Sequence, residues 1–349
     1  MQSGDDILKL LIEEGLEAAR KMERGLILQP GSVGDCILTL PLVRFMKECL
    51  ALGGVDILGH TEYIGIFPGR SCADGIRSID SVDLHRLFTE ARTFDLPDGD
   101  PLINAFADYA WIVTFLGEPN SDFEQNLIFT ANCSRSTAVV ALSMHPPQKS
   151  SRHIAEFYIE QFAAESGMSL EARRMSADDI LLRATEGDTR RGRELLAESG
   201  IDFSEQIVVI QPGSGGLEKC WHLDNFLALA DELGRQGKRV IFLLGPAESE
   251  RFGQGAMAGL AASGRCLANL SLTEVVELLQ CTDSFIGNDS GITHLAAGLG
   301  VKTFAVFGPT DPEVYKPIGP AVRVFRSSKS GFSTKPSVRL QQEILECLT

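Results

Sequence analysis

A chain of 349 residues, 44% hydrophobic and 23% charged, has apolar material for two domains of ordinary size. Its formal net charge of −15, from 32 basic and 47 acidic residues, excludes a nucleic-acid-coating protein and a polybasic membrane anchor. No apolar run reaches the roughly 18 residues of a membrane span. Met1 to Asp6 lacks the basic start of a signal peptide, and the eight cysteines are scattered without a CxxC pair, as expected of reduced thiols in the cytoplasm. The six histidines show no metal-ligand spacing.

Residues 5–24 form an amphipathic helix with Leu8, Leu11, Ile12, Leu16, Ala19 and Met22 on one face. A first strand over 26–29 runs into PGSVGD and a helix over 37–50. Short apolar runs follow at 55–58, 76–79, 111–115 and 137–142, with helical or turn sequence between them, and a helix over 152–167 closes this half. The alternation predicts a parallel sheet covered by helices on both faces. The charged, weakly periodic stretch 171–189 reads as a linker, dividing the chain into domains 1–175 and 176–349. The second half restarts with a strand at 207–211, continues with strands at 239–244, 284–286 and 302–307, and ends on a helix over 337–348. ILQPGSVG (27–34) and VIQPGSGG (209–216) repeat one strand-to-loop phrase 182 residues apart. The fold class is therefore α/β, with two Rossmann-like domains facing across a cleft at the C-terminal ends of their strands.

The densest stretch is IGNDSGITHLAAGLGVKTFAVFGPTDP, residues 286–312: strand, turn, helix over 293–299, strand, loop. A helix opening directly after a strand, with Ser and Gly in its first turn, presents unpaired N–H groups to an anion. This stretch, PGSVGDCILTLPLVRFMK and PGSGGLEKCWHLDNFLALA together resemble glycosyltransferase family 9, the ADP-heptose:lipopolysaccharide heptosyltransferases, in order and spacing. The resemblance implies a GT-B fold and an inverting, metal-independent transfer of heptose, or a similar sugar, from an ADP-activated donor. The acceptor it implies is a hydroxyl of a lipopolysaccharide-core or related glycan. No cofactor is implied beyond the ADP-sugar donor, and the expected place of work is the cytoplasm, peripheral at the inner membrane, with a glycan or glycolipid acceptor as partner and no nucleic acid.

Carried over residue by residue, the resemblance makes Asp35 the general base, against a plain helix-capping role that its position also supports. It assigns the leaving diphosphate to Lys219, to the loop Ser214, Gly215 and Gly216, and to the backbone at Ser290 and Gly291. Asp289 is expected to hold a sugar hydroxyl or order the turn. His294 then donates to phosphate or sugar, or is a satisfied buried histidine. Glu248 falls where the family has its ribose-binding acid, and Leu270 opens an adenine wall, Leu270-Ser271-Leu272. The triplet Asp98-Gly99-Asp100 spells a metal-dependent transferase signature, but it precedes Pro101 and reads as a turn with an N-cap.

Residues 1–150 carry 12 basic against 21 acidic residues. Arg70, Arg77, Arg135, Lys149, Arg152 and His153 are the candidates for a basic acceptor patch in the N-terminal half; without one, a less anionic acceptor is expected. Two other readings compete: a nucleotide-sugar epimerase of the same fold, whose signature carboxylates and histidines are not evident, and a non-catalytic nucleotide-sugar-binding module, against which Asp35 speaks. A dehydrogenase fits poorly, because neither Gly-rich loop has GxGxxG spacing.

Overall fold

The computed structural model describes residues 23–147, 150–169, 176, 179–201, 204–327 and 331–348. The N-terminal helix expected over 5–24 lies outside these residues but for its last two, and Arg24 already belongs to the first strand. Two compact units divide the chain, the second taking 32–38 and 149–153 together with the segment from 176 onward.

The first unit holds five strands: β1 (Arg24–Gln29), β2 (Gly54–Gly59), β3 (Gly75–Ser78), β4 (Tyr109–Thr114) and β5 (Ala138–Ala141), in the order β3-β2-β1-β4-β5. All pairings are parallel. β1 is buried along nearly its whole length, as expected of a central strand covered on both faces. Leu26 and Leu28 point into one apolar cluster with Leu58, Phe106, Ile112, Phe123 and Leu127. The helices are α1 (Val33–Leu50), of which residues 33–38 count with the second unit, α2 (Thr61–Ile64), α3 (Pro101–Phe106), α4 (Asp122–Asn132) and α5 (Ile154–Ser166).

The second unit has six parallel strands: β6 (Ile207–Gln211), β7 (Arg239–Leu244), β8 (Arg265–Ala268), β9 (Ser284–Asn288), β10 (Lys302–Phe307) and β11 (Val322–Arg326). Their order, β11-β10-β9-β6-β7-β8, is the doubly wound one. Its helices are α6 (Glu186–Glu198), α7 (Leu223–Arg235), α8 (Pro246–Arg251), α9 (Gln254–Ser263), α10 (Leu272–Leu279), α11 (Gly291–Gly298), α12 (Pro312–Tyr315) and α13 (Val338–Leu348). Val208 and Ile210 on β6, Phe242 on β7, Ile286 on β9 and Phe304 on β10 pack against Phe226 and Leu229 of α7.

Several expected boundaries move. The helix expected from 37 begins at Val33, because the Asp35 carboxylate accepts from the Ser32 N–H (2.9 Å) and hydroxyl (2.7 Å) and so closes the first turn. The helix expected from 293 begins at Gly291, with Ser290 as its N-cap. The expected linker ends early: α6 opens at Glu186, behind a capping box in which Thr185 and Asp188 exchange side-chain-to-backbone bonds. β8 and β11 are edge strands that the sequence reading left out.

Candidate active site

In a doubly wound parallel sheet all C-terminal strand ends share one edge, and the ligand crevice opens where the strand order reverses. In the second unit that point lies between β6 and β9. The loop after β6 carries Ser214, Gly215, Gly216 and Lys219; Glu248 follows β7, Leu270 follows β8, and Asp289, Ser290, Gly291 and His294 follow β9. All ten residues expected to bind the donor therefore stand on this edge of one sheet.

Asn288, the last residue of β9, knits the centre together. It is fully buried; its Nδ2 donates to the carbonyls of Pro212 (2.8 Å) and Gly213 (3.2 Å), and its Oδ1 accepts from the Trp221 N–H at 2.8 Å. Ser214 Oγ donates to the Asp289 carbonyl at 2.7 Å, so both loops at the reversal point are fixed to each other. Ser290 Oγ donates to Gln211 Oε1 at 2.8 Å and accepts from the Thr293 N–H at 3.3 Å. That cap leaves the N–H groups of Gly291 and Ile292 without intrahelical partners, as first-turn donors always are.

Lys219 Nζ donates to Asp289 Oδ2 at 3.1 Å, and His294 Nε2 stands 3.7 Å from the other carboxylate oxygen. Asp289 is buried, with only 8% of its side chain exposed, whereas 35% of the Lys219 side chain reaches solvent. Burial on its own raises the Asp289 pKa; His294, Lys219 and Thr310 outweigh it and bring the group down to about 2. Its neighbours thus keep it ionised. Thr310, in the loop after β10, is near enough to bias the carboxylate but outside hydrogen-bonding geometry, since its Oγ1 is buried without a partner. His294 Nδ1 is also buried and unpartnered. Two orphaned polar atoms beside one buried carboxylate fit a site that is completed by a polar ligand.

The remaining expected residues are placed as follows. Glu248 is buried; its Oε2 accepts from the Gly245 N–H at 2.8 Å, capping α8, and its carboxylate lies against Gly213 where any Cβ would collide. Leu270 is half-buried at the end of β8, two strand spacings or roughly 10 Å from the β6 loop. Asp35, in the first turn of α1, caps that helix. It also lies in the same compact unit as the donor residues: a Cβ on Gly34 would stand 3.2 Å from the His294 ring, and one on Gly291 would stand 2.8 Å from Val33. Glycine at both positions is what lets these segments approach so closely.

Sequence reasoning missed three residues here and misassigned a fourth. Tyr315 of α12 is half-buried in the field of Lys219, Asp35 and Asp289; burial raises its phenol pKa and keeps it a neutral donor. His153, counted above with a basic patch, is instead buried in the second unit. Its Nε2 meets the Lys316 carbonyl at 2.8 Å, and burial pushes its pKa down to about 4, so it is neutral. Thr310 lies within the GPTDP block, the only signal that pointed to it. Arg251, one turn after Glu248, donates to the carbonyls of Ser214 and Gly215.

Two further members of the expected patch are engaged by their own neighbours. Arg77 donates to the Ala105 carbonyl and covers the Tyr109 ring, and Arg135 pairs with Glu23. Lys149 lies outside the described residues. Asp100 caps α3 and takes two bonds from Arg86 at 2.9 and 2.8 Å, as the turn reading of Asp98-Gly99-Asp100 requires. Among the described residues, no group of three or more His, Cys, Asp or Glu side chains is placed to hold a metal ion, and no helix is long and apolar enough to cross a membrane.

A doubly wound unit with a buried, cation-paired carboxylate at its reversal point defines a Rossmann-like protein with a polar crevice at its strand ends. The profile of glycosyltransferase family 9 (heptosyltransferase) matches residues 143–344, and the chain belongs to that family. It is 29% identical to lipopolysaccharide heptosyltransferase 3 of Escherichia coli over 135 residues, 37% of this chain and 38% of the relative. It is 31% identical to lipopolysaccharide heptosyltransferase 1 of Pseudomonas aeruginosa over 134 residues, 38% of this chain and 37% of the relative. These alignments thus span under two fifths of either relative's length. The solved structure of E. coli ADP-heptose lipopolysaccharide heptosyltransferase II superimposes with a TM-score of 0.68 at 18% identity, covering 93% of this chain and 97% of that one. That likeness extends the shared fold, of GT-B type, over both units.

Proposed function

We propose that the chain is an inverting glycosyltransferase that moves heptose from ADP-heptose to a hydroxyl of a lipopolysaccharide-core glycan, without a metal. The observation that carries this reading is the spatial order of the loops along the ligand edge. Across β9, β6, β7 and β8 the edge presents Asp289 with His294, then Lys219 with the Ser214–Gly216 loop, then Glu248, then Leu270. An ADP-sugar laid along it meets groups suited to sugar, diphosphate, ribose and adenine in turn, over three strand spacings or roughly 14 Å. Family membership and the ADP-heptose named for the superimposed enzyme support the donor; the two lipopolysaccharide heptosyltransferases support the acceptor class.

Lys219 and the N–H groups of the β6 loop and of the α11 first turn stabilise the departing diphosphate. The sugar hydroxyls fill the vacant partners: the imidazole Nδ1 of His294 accepts, and the Thr310 hydroxyl donates or accepts. Glu248 keeps Oε2 on its cap and offers Oε1 to the ribose. Asp35 takes the acceptor proton, its cap bonds to Ser32 holding the carboxylate in one orientation. The acceptor and the inner-membrane surface belong to the same proposal, and the engagement of Arg77 and Arg135 by their own neighbours favours an acceptor with few phosphates.

Two variants separate binding from chemistry. Asp35→Asn keeps ADP affinity within about twofold while turnover falls by roughly 10²–10⁴. Lys219→Ala lowers both, with ADP affinity down about 10- to 150-fold, the range for a charge-assisted hydrogen bond. Calorimetric titration with ADP and single-turnover transfer rates measure the two effects. Near-normal transfer by Asp35→Asn would leave Asp35 as a helix cap and nothing more.

A further inference from the structure

The loop after β6 is held from behind by α8. Arg251 Nη1 donates to the Ser214 carbonyl at 2.9 Å and Nη2 to the Gly215 carbonyl at 2.8 Å. The next carbonyl, of Gly216, accepts from the Lys219 N–H at 3.1 Å and from Cys220 Sγ at 3.3 Å. Three successive carbonyls are thus turned toward protein donors. In a planar trans peptide the N–H points opposite to its C=O, so the N–H groups of Gly215 and Gly216 are turned away from the guanidinium. Neither N–H has a partner among the described hydrogen bonds, and a Cβ on Gly215 would meet nothing within 4 Å. One helical turn back, Glu248 presses on Gly213, so α8 grips the loop at both ends.

We propose that Arg251 is a positioning residue of the nucleotide site: by fixing two peptide planes it aims the Gly215 and Gly216 N–H groups at the donor's diphosphate. The inference rests on the reading of this edge as a nucleotide-sugar site. Successive main-chain N–H groups facing one concavity recognise phosphate oxygens, and they do so best when their orientation is set before the ligand arrives. A planar fork is what the task needs, since two carbonyls one residue apart take one donor each from a single rigid group. A lysine ammonium brings the same charge without that fork.

The test uses the full chain as wild type, Arg251→Lys and Arg251→Ala, titrated calorimetrically with ADP and with adenosine, alongside thermal melting. ADP affinity should fall roughly tenfold or more in both variants, the range for losing hydrogen bonds to a charged group, while adenosine affinity and melting temperature stay at wild-type values. Full ADP affinity in Arg251→Lys would make Arg251 a simple cation for the phosphates and overturn the positioning role. Equal losses for ADP and adenosine would mean a general structural role and overturn it too, as would no loss in either variant. If the wild type prefers another nucleoside diphosphate, the ADP assignment fails while the same comparison with that nucleotide still tests Arg251. A wild type that takes no nucleoside diphosphate overturns both.

Discussion

Asp289→Asn sets two consequences of the site against each other. In the free protein the Asp289 carboxylate holds Lys219 Nζ at 3.1 Å, so an arriving diphosphate must share that cation with a buried anion. Two unit charges about 4 Å apart interact by about 1 kcal/mol in water and about 4 kcal/mol at an effective dielectric of 20. With roughly a third of Lys219 exposed, about 2 kcal/mol is the reasonable middle. Asparagine keeps the shape and releases the lysine, so ADP should bind about 5- to 30-fold more tightly, and more so at low ionic strength. Transfer should nevertheless slow by about 10- to 150-fold, because the group proposed to hold the sugar has lost its charge. Stability should follow the pKa of about 2. A carboxyl lowered on folding contributes stability that is complete above its unfolded pKa and is lost as pH falls through the folded value. The variant should therefore be less stable by on the order of 2 kcal/mol at pH 7, with the difference fading between about pH 4 and pH 2. Calorimetric titration with ADP at two salt concentrations, single-turnover rates and urea melts read all three. ADP affinity that falls as far as in Lys219→Ala would refute the competition and make Asp289 the residue that presents Lys219 to the phosphates.

His153 is neutral in the fold, its pKa lowered to about 4 first by burial, so the unfolded chain binds the extra proton first. Stability from this group is complete above about pH 6.5 and should drop by about 2 kcal/mol between pH 7 and pH 5; His153→Gln, which can still donate to the Lys316 carbonyl, should flatten that limb in urea titrations. An unchanged slope would place the acid sensitivity elsewhere. Asn288→Ala strips partners from the Pro212 and Gly213 carbonyls and from the Trp221 N–H, all at the centre of the site. It should cost about 3 kcal/mol by urea denaturation; a loss below about 1 kcal/mol would mean that water replaces the amide.

The order of strands and loops was legible because buried parallel strands are short apolar runs, and the repeated PGS phrase marked both first turns. The start of α1 was not. Gly34 is a poor helix residue, and it is tolerated because a larger one would meet His294. α6 was hidden for a similar reason. Its buried side includes Asp188 and Gly192, the first bonded to Arg191 and the second so close to the Glu277 carbonyl that a Cβ there would stand 2.0 Å away, so no apolar period announces it. Residues expected to meet the donor stand at strand ends wherever a motif marked one. Arg251 and Tyr315 lie a turn or more beyond their strands, where only folding brings them to the loop. The pairing of Lys219 with Asp289 was likewise out of reach, because it joins residues 70 apart in sequence.

Transfer itself is the most direct test. The full-length chain, freed of metal and kept in excess EDTA, is incubated with ADP-heptose and a panel of heptose-deficient core oligosaccharides, with ADP release and product mass followed together. The account predicts stoichiometric ADP release and gain of one heptose on a core acceptor, undiminished by the chelator and lost in Lys219→Ala. Release of ADP without a glycosylated product, or transfer that appears only when Mg²⁺ or Mn²⁺ is restored, would contradict it.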